Sequence, residues 1–132
     1  MKVMLDSNIC VDIIRARPQP VLDRLKTYDV GDIGISMVTL AELEYGVSVS
    51  RRPAKNREAL DQFVSPLEIV TFDRPATTAY GRLRAALERK GQMIGSMDLL
   101  IAAHAVSLDV RLVTHNAREF GRVPGLKIED WQ

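Results

Sequence analysis

Lys2-Val3-Met4-Leu5-Asp6-Ser7-Asn8 runs three apolar residues straight into an acid and then a polar pair. A short unbroken apolar run closed by turn-forming residues is the pattern of a strand buried on both faces. Ile9, Cys10, Ile13 and Ile14 then recur at helical spacing. Ser7 or Asn8 can cap that helix by accepting from its first free amides. Asp6 would stand at the carboxyl end of a central parallel strand, where open α/β sheets hold their ligands. The alternative is that Asp6 only helps to cap the helix.

Outward from this unit, strands and helices alternate. Pro18 and Pro20 break the first helix, and Val21, Leu22 and Leu25 fit a second short one. Residues 32–36 predict a strand, and Met37 to Val49 a helix that Ser36 can cap and Gly46 weakens. Pro53 suits the first turn of a charged helix reaching Val64. Glu68-Ile69-Val70 predicts a weak strand, and Ala76 to Lys90 an amphipathic helix stopped by Gly91. Met97 to Leu108 predicts a further helix, residues 111–114 a strand, and Arg118-Glu119-Phe120 a short helical piece. An edge strand is expected at residues 126–128. Alternation of this kind implies an α/β fold in one domain over residues 1–132, its central, mostly parallel sheet of four to five strands flanked by helices.

At 132 residues the chain can bury roughly two thirds of its unfolded surface. Hydrophobic residues make up 46% and charged ones 27%, the balance of an ordinary globular protein. No apolar run reaches the roughly 18 residues of a membrane span. Cys10, the single cysteine, lies among Ile9, Val11 and Ile13 and reads as a small buried apolar residue. A cytoplasmic setting is expected. Residues 51–90 hold nine Lys/Arg against five Asp/Glu, and the rest of the chain nine against twelve. A basic middle beside an acidic remainder suits a polyanion held next to carboxylates, although solvated helix faces give the same count.

Four acids recur at element boundaries or among apolar neighbours: Asp6, Glu42, Asp98 and Glu119. Asp98 lies in a first helical turn, where the helix dipole alone would favour it by roughly 0.3–1 kcal/mol. Glu42 shares a helix face with Val38, Tyr45 and Val49, but Glu44 is also flanked by apolar residues, and periodicity does not choose between them. Glu119, beside Arg118, reads equally as a surface charge. Two carboxylates about 4 Å apart repel by roughly 4 kcal/mol at a dielectric of about 20. A converging set therefore needs a cation, and all-oxygen ligands select Mg²⁺ or Mn²⁺. No His/Cys set has zinc spacing. His104 falls within an apolar helix and reads as core, while His115 lies near the acids without a partner pattern. Walker, dinucleotide and G-x-S-x-G motifs are missing. Metal-assisted phosphodiester hydrolysis survives this elimination.

The same residues resemble a known family. Leu5-Asp6-Ser7-Asn8 resembles the Asp-Ser/Thr-Asn opening of the PIN-domain nucleases. Residues 36–46, with Val38-Thr39 and Glu42-Leu43, resemble their S-x-V-T-x-x-E-L-x-x-G block. Residues 94–102, around Asp98, resemble I-x-x-x-D-x-x-I-A, and residues 113–120 resemble V-T-x-N-x-x-E/D-F. The four blocks stand in order over essentially the whole chain. Its size and its ending, Val123 to Trp131, look most like the VapC toxins of toxin–antitoxin pairs, and among them the enterobacterial-type branch.

The resemblance implies a PIN-domain fold and an endoribonuclease dependent on Mg²⁺ or Mn²⁺. It puts Asp6, Glu42 and Asp98 on the three principal metal-binding acids, and so chooses Glu42 over Glu44. Many relatives carry an acid where this chain has Asn116, which leaves Glu119 as the fourth carboxylate. Ser7, Asn8, Thr114 and Asn116 would orient the acids or a coordinated water. No protein nucleophile is implied, and the products expected are 5′-phosphate and 3′-hydroxyl ends. The implied substrate is RNA, tRNA in particular, with cleavage of initiator tRNA in the anticodon loop. Arg51, Arg52, Lys55, Arg57, Arg82 and Arg84 would steer it through its phosphates. Implied partners are a VapB antitoxin whose tail enters the acid cleft and a second copy of the chain. A larger complex with antitoxin and operator DNA is also implied; a membrane is not. Residues 38–49 are the candidate dimer face, with simple core packing as the alternative. The rival readings are a housekeeping RNA-processing nuclease of the same fold and an inert RNA- or antitoxin-binding module.

Overall fold

The structure, a computed structural model, describes residues 1–132. Strand β1 (Val3–Leu5) is almost wholly excluded from solvent, as its continuous apolar run requires. It lies at the centre of a five-stranded sheet with β2 (Ile33–Ser36), β3 (Glu68–Val70), β4 (Arg111–Val113) and β5 (Ile128–Glu129), in the order β3-β2-β1-β4-β5. Every pairing is parallel. The order reverses between β1 and β4, so their carboxyl ends flank the switch point where such sheets leave a crevice.

Seven helices cover the sheet: α1 (Ser7–Ile14), α2 (Gln19–Leu25), α3 (Met37–Ser48), α4 (Pro53–Val64), α5 (Arg74–Lys90), α6 (Ser96–Leu108) and α7 (Ala117–Phe120). The period-two alternation of β1 divides the core. Met4 faces a layer with Leu83 and Leu87 of α5, Leu99 and Ile101 of α6, and Phe120. Val3 and Leu5 face the other layer, with Ile9 and Cys10 of α1, Val21, Leu43, Leu60 and Trp131. A fully buried side chain of this size stabilises by roughly 1.5–3 kcal/mol, so both layers are needed to hold so short a central strand. The C-terminal tail is tied across this second layer: Trp131 stacks on Tyr28 at 5.5 Å, and Glu129 accepts from Arg24 and from Tyr28 at 2.9 Å. Cys10 is fully buried, and burial pushes its thiol up.

The expected elements form, with shifted ends. Asp6, not Ser7 or Asn8, caps α1, its carboxylate accepting from the Ile9 amide at 2.8 Å. Helix α5 starts at Arg74 because Asp73 caps it and Pro75 sits in its first turn. Strand β5 pairs only through residues 128 and 129, later than expected. Gly34 lets β2 and β3 approach; a Cβ there would lie 2.8 Å from the Glu68 carbonyl oxygen and run into the Met1 sulfur. No helix is long and apolar enough to cross a membrane.

Candidate active site

Four segments remote in sequence bring their acids to the switch point. Asp6 follows β1 directly, so capping and the sheet's carboxyl edge fix it together. Its backbone amide donates to Val113 O at 3.0 Å, which keys the end of β1 to the end of β4. The side chain is buried. Burial raises the Asp6 pKa, against the lowering effects of Thr114, the Ile9 amide and His115.

Glu42 projects from α3 and accepts from Ser7 Oγ at 2.5 Å, a bond between the first and second acid-bearing segments. Glu44 points elsewhere and pairs with Arg57. Asp98 stands in the first turn of α6. Glu119, on α7, reaches back to α6: its Oε1 accepts from the Gly95 amide at 2.9 Å. A side chain at position 95 would lie 3.5 Å from Asp98 Oδ2 and 3.7 Å from Glu119 Oε1, so this glycine leaves room for both carboxyl groups.

The electrostatics bind the four together. Burial pushes Asp98 up to about 6, and negative charge on Glu119, Glu42 and Asp6 adds to the effect. Its partner Glu119 moves the other way, held low by the Gly95 amide, Asn116 and Asp98. The acids are gathered but not closed, since no three Asp, Glu, His or Cys side chains form a finished metal-ligand set. Their chemistry suits a hard divalent cation: all donors are oxygens, and burial with the neighbouring acids disfavours the charged form of Asp98.

Of the supporting residues, Ser7 holds Glu42, and Thr114 favours the ionised form of Asp6. Asn116 donates to Glu119 Oε2 at 2.7 Å and caps α7. Asn8 is exposed and makes no side-chain hydrogen bond to the acids. The basic candidates split between the layers. Arg51, Arg52, Lys55 and Arg57 adjoin or lie on α4, whereas Arg82 and Arg84 lie on α5 behind the opposite face. Arg57 and Arg84 are engaged with carboxylates on their own side, Arg57 with Glu44 and Asp61, Arg84 with Glu88.

Two features could not be seen in the sequence. His115 bridges Asp12 and Asp130. A cavity of about 260 Å³ between α1, α3 and α4 opens on Glu42, walled by Val11, Ile14, Leu43 and Leu60. Neither has a local signal, because each unites residues far apart in the chain.

The sequence profile described as PIN domain matches residues 3–126. Ribonuclease VapC2 of Rickettsia felis is 46% identical over 132 residues, covering 99% of this chain and 98% of its own. The tRNA(fMet)-specific endonuclease VapC of Shigella flexneri is 43% identical over 131 residues, covering 99% and 98%. The crystal structure of VapBC2 from R. felis, bound to a DNA fragment from their promoter, matches with a TM-score of 0.92 at 44% identity, over 100% of both chains. The acids gathered at the switch point thus sit in a chain that belongs to the PIN domain family and, within it, to the VapC ribonucleases.

Proposed function

We propose that this chain is the toxin of a toxin–antitoxin pair, a divalent-cation-dependent endoribonuclease whose site is Asp6, Glu42, Asp98 and Glu119. The observation that carries the reading is the gathering of four carboxyl groups from separate segments. Glu42 is held by Ser7, Glu119 sits on the Gly95 amide beside Asp98, and Asp6 stands at the end of β1. Burial and this crowding push Asp98 up to about 6. Side chains so crowded lose free energy on ionising unless a cation joins them. Asp6, Glu42, Asp98 and Glu119 would hold Mg²⁺ or Mn²⁺. When bound, the ion would supply an activated water and charge stabilisation for the leaving oxygen.

The chain's own residues do the rest. Ser7 fixes one oxygen of Glu42, and Asn116 with the Gly95 amide fixes both oxygens of Glu119, so these carboxylates keep their aim. Thr114 favours the ionised form of Asp6 against its burial. RNA phosphates would be steered by Arg51, Arg52 and Lys55, which are exposed near the cavity beside Glu42. The relatives' names support RNA as substrate, and the tRNA(fMet)-specific endonuclease supports initiator tRNA as the target. The structure of a VapBC complex on promoter DNA supports a VapB antitoxin and operator DNA as partners. The apolar cavity that opens on Glu42 suits an antitoxin tail.

Incubation of purified protein with total RNA, with and without Mn²⁺, followed by mapping of ends, tests this. Cation-dependent cleavage that leaves 5′-phosphates is expected, with initiator tRNA cut in its anticodon loop. In cells, Asp6→Ala should abolish growth arrest; equal toxicity of that variant would exclude hydrolysis as the cause.

A further inference from the structure

The ring of His115 joins three separate stretches of chain. Nε2 lies 3.0 Å from Asp12 Oδ2 on α1, and Nδ1 lies 2.9 Å from Asp130 Oδ1 in the C-terminal tail. A neutral imidazole has one N–H and can donate to only one carboxylate, so both contacts together call for the doubly protonated ring. Burial opposes that charge, but the bonds to Asp130 and Asp12 outweigh it. With 22% of its side chain exposed, the ring is largely shielded from competing water.

The ring grips the turn at residues 114–116, and both of its sequence neighbours serve the acids. The Thr114 hydroxyl accepts from the Asn116 amide at 3.0 Å, closing the turn, and acts on Asp6. Asn116 holds Glu119. The two anchors are equally well placed. Asp12 belongs to α1, the helix that Asp6 caps, and Asp130 follows β5, the strand paired with β4. His115 itself makes no hydrogen bond to any of the four acids.

We propose that His115 is a positioning residue, a two-carboxylate clamp that sets the 114–116 turn and thereby the placement of Asp6 and Glu119. The proposal rests on the nuclease reading above and adds to it a residue outside the acid set. The clamp ties the turn to a helix and to the tail, so releasing it lets Thr114 and Asn116 drift from the carboxylates they orient. Groups that orient metal ligands contribute about 10–100-fold in affinity or activity.

The test compares wild type, His115→Ala, Asp12→Ala and the double variant. Calorimetry with Mn²⁺ alone gives ion affinity, one RNA gives kcat and KM, and thermal melts report folding. His115→Ala should weaken Mn²⁺ binding and lower kcat by about 10–100-fold, with KM changed less than about two-fold. The double variant should be no worse than His115→Ala, because one clamp breaks only once. Unchanged Mn²⁺ affinity and kcat in His115→Ala would overturn the proposal. So would losses that track the unfolded fraction, or losses that add fully in the double variant. Should His115→Ala fail to fold, Asp130→Asn, which weakens one arm in the tail, is measured in the same ways, and the same losses support or overturn the clamp. Wild type that cleaves no RNA, while His115→Ala still loses Mn²⁺ affinity, would count against the nuclease reading and leave the clamp standing.

Discussion

Replacing Asp98 with asparagine separates two effects that its carboxyl exerts together. Its pKa is raised from 3.8 to about 6, so above pH 6 the ionised group opposes folding, and below pH 3.8 the opposition is gone. Discounted for its half-exposed position, that opposition is about 1 kcal/mol. Asp98→Asn should therefore raise the melting temperature at pH 8 by about 2–4 °C, with no gain at pH 4. RNA cleavage should fall by more than about 100-fold. Mn²⁺ should raise the melting temperature of wild type more than that of the variant. His115 predicts the opposite pH sense. Its pKa is raised, so the stability it contributes is complete below 6.5 and is lost as pH climbs through the folded value. Asp130 and Asp12 face the ring and draw charge onto it, and the Asp6 carboxylate, whose charge the ring favours, acts in the same sense. The melting difference between wild type and His115→Gln should shrink from pH 6 to pH 9. Residue roles of this kind were only half legible. Helical periodicity could not separate Glu42 from Glu44, because what distinguishes them is Ser7 for one and Arg57 for the other. The clamp at His115 gave no sign at all, since its partners stand 103 and 15 residues away.

Helix α1 begins on a residue with two duties. Asp6 caps the helix and also faces the site, and asparagine caps about as well as aspartate. Asp6→Asn should melt within about 2 °C of wild type and lose cleavage, whereas Asp6→Ala should also lose about 1 kcal/mol by urea unfolding. In the sheet, Gly34→Ala should destabilise by roughly 1–3 kcal/mol, because its Cβ would meet the Glu68 backbone and not merely a movable side chain. A urea melt with unchanged slope would report this. Elements were the most legible scale. The apolar run of β1 and the helix stop at Gly91 follow from local chemistry. The ends slipped where a neighbouring acid, Asp6 or Asp73, took the cap, and at β5, whose two residues are chosen by pairing with β4 and not by their own pattern.

Across the molecule, Met37 and Tyr45 of α3 and Val49 at its end are exposed, at 46%, 69% and 62%. Large apolar side chains left together on a surface mark an interface, and we propose that a second copy covers them. Tyr45→Glu should convert a dimer into a monomer in light scattering after gel filtration, leaving the melt of the isolated chain little changed. Alternation of strand and helix made the parallel sheet legible from sequence. The charge surplus of residues 51–90 is divided in the fold, because α4 and α5 lie on opposite faces of the sheet, which the sequence does not say. The convergence of the acids came from the family blocks, not from composition or spacing.

Strand β4 slots beside β1 from more than a hundred residues downstream, and α7 with its glutamate follows later still. A half-made polypeptide emerging from the ribosome thus has only two of its four acids and no strand to close the crevice. The crevice can therefore come together only late in synthesis, once the stretch from Asp98 through α7 has been made.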